Sequence, residues 1–418
     1  MLFVLVLAVQ AQAPVQAWLG EQPHRWDLEV QAPLGVPAGY SLSFTFDHAA
    51  EVAAGRSRAD GSDVQLARWD GVRFTEVDRV LDTGSGWGKP NTRIWFASPA
   101  LPAGDDRFFA LFMGNAATRP LDDPERVFLF HDGFESGSTL DKWWDLRFRY
   151  TAESLDVVDA GAHSGAYALR WRLTEANMSL IGRQLAIDGG FPPDIELEAW
   201  WRAESYRQLG FAFLLHFNAE VDNGLNFGPE DFAVPFGWRH GWREVRSYTR
   251  LEGVPTIQAE PTQWVRVTYA ALGGGVRGCV DGVCDPVDAG FRDAGFRSDG
   301  GAVGLGRVHY GMPFPDGGRD AFLDDLRVRR IMQPEPVVKL KQMLRFVGPD
   351  AGAPDAGAVP DAGEAPDAGG QQQPMSPRGL DVGCGCSALD GLTVLAAAAL
   401  LIGIRGRARR TRRTACRT

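Results

Sequence analysis

The sequence predicts an all-β protein with two β-sandwich, jelly-roll-like domains, then a disordered Pro/Asp/Ala/Gly linker and a short C-terminal transmembrane helix. The 418-residue chain is 44% hydrophobic, which is enough to bury about two cores. Its 50 glycines and 26 prolines suit short strands joined by turns. Along Ile195–Arg202 apolar and polar residues alternate, which is the period of a strand with one buried face.

The domain boundaries follow from changes in composition. We predict a signal peptide at residues 1–17, a first sandwich at 18–130, a second at 131–333, a linker at 334–382 and a sorting tail at 383–418. The net charge of −10 includes seven arginines in the last 14 residues, so the rest of the chain is strongly acidic. An acidic body argues against a nucleic-acid partner, whose phosphates require basic surface.

The N-terminus is typical of an export signal. Leu2–Val9 is an unbroken apolar run, and small-residue sites end at Ala11 and Ala17. No Lys or Arg precedes Arg25, so the usual positive segment is missing. The alternative is a buried first strand.

The linker contains four copies of Pro-Asp-Ala-Gly, beginning at Pro349, Pro354, Pro360 and Pro366. Such a segment lacks the apolar residues needed to offset the entropy of ordering. We expect a disordered spacer without chemistry of its own.

The C-terminal tail combines three features in a fixed order. Cys384 and Cys386 precede an apolar stretch at 391–404, and an arginine-rich end begins at Arg405. Counted from Ala388, a helix here spans roughly 26 Å, close to a ~30 Å hydrocarbon core. The arginines favour a cytoplasmic end.

This tail resembles the MYXO-CTERM sorting signal of myxobacterial surface proteins. The resemblance implies that a membrane protease removes the helix and that Cys384 or Cys386 is the anchoring point. We therefore expect a protein at the cell surface or outer envelope, attached to the envelope membrane through its C-terminus. A tail anchor that stays in the membrane is the alternative.

Cys279 and Cys284 flank an Asp-Gly turn between valines, which predicts a two-residue hairpin. In that register the cysteines form the second cross-strand pair, within disulfide range. Zinc would need further ligands that the neighbourhood lacks. We expect a disulfide.

Three short runs characterise the first sandwich. Asp60-Gly61-Ser62-Asp63 precedes a strand, Ile94-Trp95 lies in another, and Phe112-Met113-Gly114-Asn115 ends a third. These runs are similar to the family called domain of unknown function 2341, although Met113 stands where that family usually has tyrosine. The resemblance implies a β-rich domain and no catalytic residue.

The second sandwich opens with Asp132-Gly133-Phe134-Glu135 and closes with Phe322-Leu323-Asp324-Asp325, with Ala162-His163-Ser164-Gly165 between them. This order resembles the concanavalin A-like lectin/glucanase jelly rolls, including laminin-G-like domains. In many such sandwiches the opening and closing acids meet around a structural calcium. Our candidate ligands are therefore Asp132, Glu135 and Asp325, with Asp324 in reserve. The alternative is that these acids stabilise turns and strand ends.

No familiar catalytic pattern is complete. The Glu-x-Asp-x-x-Glu pattern of one jelly-roll glycosidase family begins at Glu76 and Glu220, but Leu81 and Leu225 stand at its last position. The seven histidines lack metal-type spacing, and there is no Gly-x-Ser-x-Gly elbow.

Aromatic and basic residues are interleaved in one segment of the second sandwich. The candidate ligand-binding residues are Trp238, Arg239, Trp242 and Arg243. Flat rings with polar neighbours suit a sugar, whereas the alternative is that they fill a small core of their own.

The sequence thus predicts a non-catalytic binding protein for extracellular polysaccharide or glycoprotein. A structural or adhesive spacer, and a glycoside-active enzyme of the concanavalin A-like superfamily, are the alternatives.

Overall fold

The computed structural model describes residues 24–115, 122–138, 142–145, 155–159, 161–173, 180–183, 190–204, 211–218, 223–230, 237–244, 247–250, 262–285, 290–293, 300–307 and 319–345. The predicted signal peptide, the Pro-Asp-Ala-Gly repeats, Cys384, Cys386 and the predicted transmembrane helix lie outside these residues. Across the described ranges, none of the helices has the length and apolarity needed to cross a membrane.

The first seven strands of the described chain belong to the first sandwich. They are β1 (His24–Ala32), β2 (Tyr40–Phe46), β3 (Gln65–Trp69), β4 (Phe74–Glu76), β5 (Arg79–Leu81), β6 (Thr92–Ser98) and β7 (Gly104–Met113). Two short helices accompany them, α1 (His48–Ala53) and α2 (Pro124–Val127). Asp47 caps α1 by accepting from the Ala50 amide, a local signal that the strand-based prediction did not use.

The second sandwich is built from the strands that follow. They are β8 (Phe130–Asp132), β9 (Trp144–Asp145), β10 (Leu155–Val158), β11 (Ala168–Leu173), β12 (Leu180–Arg183), β13 (Ile195–Ala203), β14 (Phe211–Asn218), β15 (Asn223–Glu230), β16 (Gly237–Glu244), β17 (Ser247–Arg250), β18 (Val265–Leu272), β19 (Gly275–Val280), β20 (Val283–Asp285), β21 (Arg292–Asp293), β22 (Ala302–Arg307) and β23 (Arg319–Arg330).

The last described strand, β24 (Val337–Arg345), returns to the first sandwich and pairs with β1. It lies within the range 334–382 that the sequence assigned to the linker, so a part of that range is strand. The run Val338-Lys339-Leu340-Lys341 alternates apolar and charged residues, a signal that could have identified it. Val338 and Leu340 pack against the first core.

Each sandwich is formed by antiparallel sheets that enclose a core. In the first, a five-stranded sheet in the order β24-β1-β7-β3-β4 faces the three-stranded sheet β2-β6-β5. In the second, a nine-stranded sheet with the path β10-β11-β23-β13-β18-β19-β20 faces the seven-stranded sheet β17-β16-β15-β14-β22-β12-β9. The mostly β-strand, antiparallel architecture confirms the predicted fold class at this level.

Side-chain alternation along β13 determines which face of the large sheet is buried. Ile195, Leu197, Ala199 and Trp201 lie in the second core, as their two-residue spacing predicted. The other face carries Glu196, Glu198, Trp200 and Arg202, and it is this outer face that meets the first sandwich.

Buried charges join the two sandwiches at this outer face. Arg327 on β23 donates to Asp82 of the first sandwich at 2.8 Å and to Glu198 on β13. Arg266 on β18 lies 2.5 Å from Glu198, and the Trp95 indole N–H donates to Asp82 at 2.6 Å. Burial opposes ionisation of Asp82, but Arg327 and Arg266 outweigh it and lower its pKa.

Two of the three runs that carried the first resemblance meet in space. The Asp63 carboxylate accepts from the amides of Arg58 at 3.0 Å and Gly114 at 2.8 Å. Gly61 has a φ of +64° and lies under the Trp87 ring, so that a Cβ there would be 2.1 Å from the ring. These residues therefore hold the loops of the first sandwich in place.

Candidate functional site

A β-bulge in β23 creates the most chemically distinctive part of the outer face. Glu198 pairs with Arg327 and Trp200 with Asp324, so two residues, Asp325 and Leu326, oppose Ala199. Asp325 has a positive φ of 49°. Bulges redirect side chains and are frequent next to functional sites. Here the bulge places the two carboxylates of Asp324 and Asp325 beneath the 161–166 loop.

The loop is bound to both carboxylates. Asp324 accepts from the amides of His163 at 2.8 Å and Ser164 at 3.0 Å. Asp325 accepts from the Ser164 hydroxyl at 2.8 Å and faces the Nδ1 atom of His163 at 2.9 Å. These contacts fix the position of the His163 ring over the sheet.

His163 completes an aromatic surface. Its ring stacks on Trp200, with centroids 3.9 Å apart and an interplanar angle of 13°, and meets the edge of Trp264 at 5.7 Å. The guanidinium of Arg202 lies 5.3 Å from the Trp264 ring. The His163 side chain is 18% exposed, and the other three are half-buried. We call His163, Trp200, Arg202 and Trp264, with Asp324 and Asp325 beneath them, the junction site.

The junction site lies where the two sandwiches meet. The Trp200 indole N–H donates to the Thr83 hydroxyl of the first sandwich at 3.0 Å. Ligand sites occur preferentially at domain interfaces, where two rigid bodies shape a cleft.

Electrostatics distinguish the two carboxyl groups of the bulge. Burial and the neighbouring charge of Asp325 raise the pKa of Asp324 to about 7. Asp325 faces a ring nitrogen, and an ionised carboxylate only accepts hydrogen bonds. Nδ1 of His163 therefore carries the hydrogen, and in the neutral ring Nε2 is left as the acceptor.

The predicted calcium ligands all accept hydrogen bonds from the protein. Asp132 accepts from the Phe134 amide at 2.9 Å and the Trp143 indole at 2.6 Å. Glu135 accepts from the amides of Ala166 at 3.0 Å and Tyr167 at 3.1 Å, an approach that requires glycine at 165 because a Cβ would lie 2.3 Å from its carboxylate. Within the described ranges, no three or more His, Cys, Asp or Glu residues are grouped to hold a metal ion. Calcium binding stays a prediction.

The predicted ligand-binding residues lie on β16. The backbone register pairs Trp242 with Leu225 and Trp238 with Pro229. Arg239 and Arg243 are at the alternating positions of the same strand. The side chains of these four residues lie outside the described part of the chain, and their role stays a prediction.

The predicted disulfide residues form the expected cross-strand pair. Val280 pairs with Val283 and Cys279 with Cys284, around a turn at Asp281 and Gly282 in which both residues have positive φ. The cysteine sulfur atoms are 2.04 Å apart and bonded, and the Cα atoms are 4.0 Å apart.

Ser57, His48 and Asp63 in the first sandwich have the residue types of a hydrolase triad, but their hydrogen bonds run in the wrong direction for catalysis. The Ser57 hydroxyl donates to Asp63 at 3.0 Å, and Nδ1 of His48 accepts from the Gly88 amide at 2.7 Å. His48 therefore donates through Nε2 to Ser57 at 2.9 Å and cannot take its proton. His48 is fully buried, so this array is structural.

The sequence analysis noted two of the segments that form the junction site, but it did not predict that they are in contact. The runs around His163 and Asp324 were noted as signs of a jelly roll, but His163, Trp200, Arg202 and Trp264 were not predicted as site residues. The available signal was the His-Ser-Gly run together with the paired aspartates.

Several solved structures resemble the structure of this chain at low sequence identity. No protein-family model matches the chain, and no curated protein matches it. A xylan β-1,4-xylosidase from Bacillus halodurans matches at 14% identity and a TM-score of 0.33, over 52% of this chain and 41% of that chain. A β-1,3-glucanase from Mycobacterium marinum matches at 16% identity and a TM-score of 0.31, over 48% of this chain and 98% of that chain.

A third match is domain 4 of a GH43 extracellular arabinanase from Geobacillus stearothermophilus, in complex with arabinotriose. It has 14% identity and a TM-score of 0.31, over 48% of this chain and 90% of that chain. This chain thus spans less than half of the xylosidase but most of the two smaller structures.

These comparisons correct the predicted function. The sequence predicted a non-catalytic binding protein because every tested motif was incomplete. The matched structures are mainly of enzymes whose names state an action on glycans, and this finding contradicts that prediction. The motifs tested were linear patterns along one strand, whereas side chains from distant segments can form a site without any linear pattern.

Proposed function

We propose that this protein acts on a glycosidic bond of extracellular polysaccharide at the junction site. The observation that carries the proposal is His163, whose ring is stacked on Trp200 at 3.9 Å and held by Asp325 at 2.9 Å. A carboxylate that orients an imidazole is a recurrent proton-transfer unit, because it fixes the tautomer and stabilises the imidazolium.

The surroundings of His163 suit a sugar. The indole of Trp264 offers an apolar face, and Arg202 offers hydrogen-bond donors beside it. Sugar rings present apolar C–H faces edged by hydroxyls, so a half-buried aromatic surface with a few polar groups complements them.

Hydrolysis at this site needs one group that gives and then recovers a proton. The His163 imidazolium transfers its proton to the leaving glycosidic oxygen as the bond from that oxygen to the anomeric carbon breaks. Water adds to the anomeric carbon, and its proton passes to the neutral imidazole, which restores the starting state. Asp325 stabilises the ring while it is protonated and holds it in place while it is neutral.

The test is release of reducing ends from xylan, β-1,3-glucan and arabinan, the glycans named for the matched enzymes. We expect His163→Gln to lower the rate by about 100-fold to 10,000-fold, the usual range for a lost general acid–base group. Glutamine keeps a donor for Asp325, so the melting temperature should change little. His24→Gln, on β1 of the first sandwich, is the matched control and should retain full activity.

Two results would overturn the proposal. One is a wild-type protein that releases no reducing ends from any of the three glycans. The other is a folded His163→Gln variant that is as active as the wild type.

Export and surface attachment belong to the same proposal. They are supported by the apolar N-terminal run and by the cysteine, apolar and arginine-rich parts of the tail. We expect the mature protein to lack Arg405–Arg417, which mass analysis of envelope protein would show. Recovery of those peptides in stoichiometric yield would favour a permanent tail anchor instead.

A further inference from the structure

The outer face of the five-stranded sheet carries a second β-bulge. Leu28 pairs with Phe109 and Val30 with Asp106, so Arg107 and Phe108 both oppose Glu29. As a result two consecutive side chains leave the core: Arg107 is 71% exposed and Phe108 is 51% exposed. The bulge thus presents the guanidinium of Arg107 and the ring of Phe108 side by side on the surface.

The bulge forms one wall of a depression. Its volume is about 260 Å³, and it is lined by Arg25, Trp69, Phe74, Arg107 and Phe108. We call these five residues the bulge depression. Drug-sized pockets measure roughly 300–1,000 Å³, so this one suits a single ring.

The floor of the bulge depression is a braced aromatic group. Trp69 and Phe74 are 5.1 Å apart at their centroids, and Phe74 meets the buried Phe112 edge-on at 5.2 Å. The guanidinium of Arg25 lies 4.9 Å from the Phe74 ring. These contacts hold the rings in place before any ligand arrives, which lowers the entropy cost of binding.

The rim is polar but electrically balanced. Arg25 pairs with Asp27 at 2.7 Å, and Arg107 pairs with Glu29 at 3.0 Å and lies 3.8 Å from Asp105. Lys341 on β24 also pairs with Glu29, at 3.0 Å, and lowers the pKa of that carboxyl. Three cations thus face three carboxylates, which leaves no net charge to attract an ion.

We infer that the bulge depression binds a neutral sugar ring of a polysaccharide chain, separately from the junction site. The aromatic floor takes the C–H face of the ring, and Arg25 and Arg107 donate to its hydroxyl oxygens. The bulge depression is distinct from the proposed catalytic site. It lies on the first sandwich, and none of its five residues takes part in the proposed cleavage of the glycosidic bond.

The experiment uses the full chain carrying His163→Gln, so that no probe is consumed. Calorimetric titrations with xylohexaose, laminarihexaose and a galacturonate hexamer compare two neutral chains with an acidic one. We expect one of the neutral hexamers to bind and Phe108→Ala to weaken it about fivefold to tenfold, as for a lost aromatic contact. Phe108 is half exposed, so its loss should leave the fold intact.

Matched controls separate the bulge depression from the rest of the surface. Leu34→Ala removes a still more exposed apolar side chain of the same sandwich and should leave binding unchanged. Arg107→Gln tests the polar rim independently of Phe108 and should also weaken the neutral hexamer. Trp264→Ala, in the junction site, should leave the Phe108-dependent part of the binding unchanged while lowering cleavage by the protein that retains His163.

The inference fails if neither neutral hexamer binds, if folded Phe108→Ala binds as tightly as its parent, or if the galacturonate hexamer binds more tightly than both neutral chains. Absence of cleavage with retained, Phe108-dependent binding would overturn the proposed catalysis alone.

Discussion

The guanidinium of Arg327, near the end of the second sandwich, lies 2.8 Å from the carboxylate of Asp82 in the first. Both side chains are almost fully buried, and Arg327 also binds Glu198 and lies over Trp95 at 4.8 Å. The pair therefore fixes the sandwiches against each other at the face that carries the junction site.

Removing this guanidinium should destabilise the protein strongly. In Arg327→Ala the carboxylates of Asp82 and Glu198 stay buried and lose their nearest cation, and we expect a loss of about 3–5 kcal/mol. Urea unfolding measures it. Arg73→Ala, at an exposed pair with Asp70 at 3.9 Å, is the control and should cost far less, because solvent screens the pair. Equal losses in the two variants would contradict a joining role for Arg327.

The buried Asp324 should make stability depend on pH. Its pKa is raised to about 7 by burial and by Asp325, whereas an unfolded aspartate titrates near about 4. The stability that the native protonated form contributes is fully present below about pH 4 and is lost as the pH rises to about 7. Asp324→Asn cannot titrate, so its stability relative to the wild type should rise over this window and then level off.

Thermal melts of both proteins between pH 4 and 8 test this. Comparison with the wild type matters because burial lowers the pKa of His131 and His216 to about 4, which makes both proteins lose stability as the pH falls. A difference between the two proteins that is constant across the window would show that Asp324 is ionised in the native state.

Calcium binding can be tested directly. If Asp132, Glu135 and Asp325 share an ion, excess chelator should lower the melting temperature of the wild type, because an ion bound only by the folded state stabilises it. Asp325→Ala should then melt at the same temperature with and without chelator. If chelator does not change the melting curve of the wild type, calcium binding is disproved. These acids then serve only as acceptors of backbone and indole hydrogen bonds.

Loss of the disulfide between Cys279 and Cys284 should cost little. The bond joins residues five apart in sequence, so it restricts the unfolded chain only slightly, and we expect about 1–2 kcal/mol. Unfolding of the double Cys→Ala variant measures the loss. In native, non-reduced protein the peptide with both cysteines should resist alkylation, and alkylation of both thiols before reduction would disprove the bond.

Local features were predictable where neighbouring residues decide them. The alternation along Ile195–Arg202 identified the buried face of β13, and the Asp281-Gly282 turn gave the register of its hairpin. Strand β24 was missed because its Lys-rich alternation adjoins a proline-rich spacer, and its partner β1 is about three hundred residues earlier in the chain. The prediction of a non-catalytic protein, which the comparisons contradict, rested on linear motifs, and such motifs do not detect side chains that only the fold brings together.

The sequence by itself determined a mostly β chain, the Asp281-Gly282 hairpin and the buried face of β13, since period and turn chemistry are properties of neighbouring residues. Only the tertiary structure decided that Arg327 meets Asp82, that His163 lies on Trp200 above the bulge at Asp325, and that Arg107 and Phe108 open a depression on the first sandwich. These contacts depend on sheet register and on bulges, which set distant side chains together and have no signature in the local pattern of the chain.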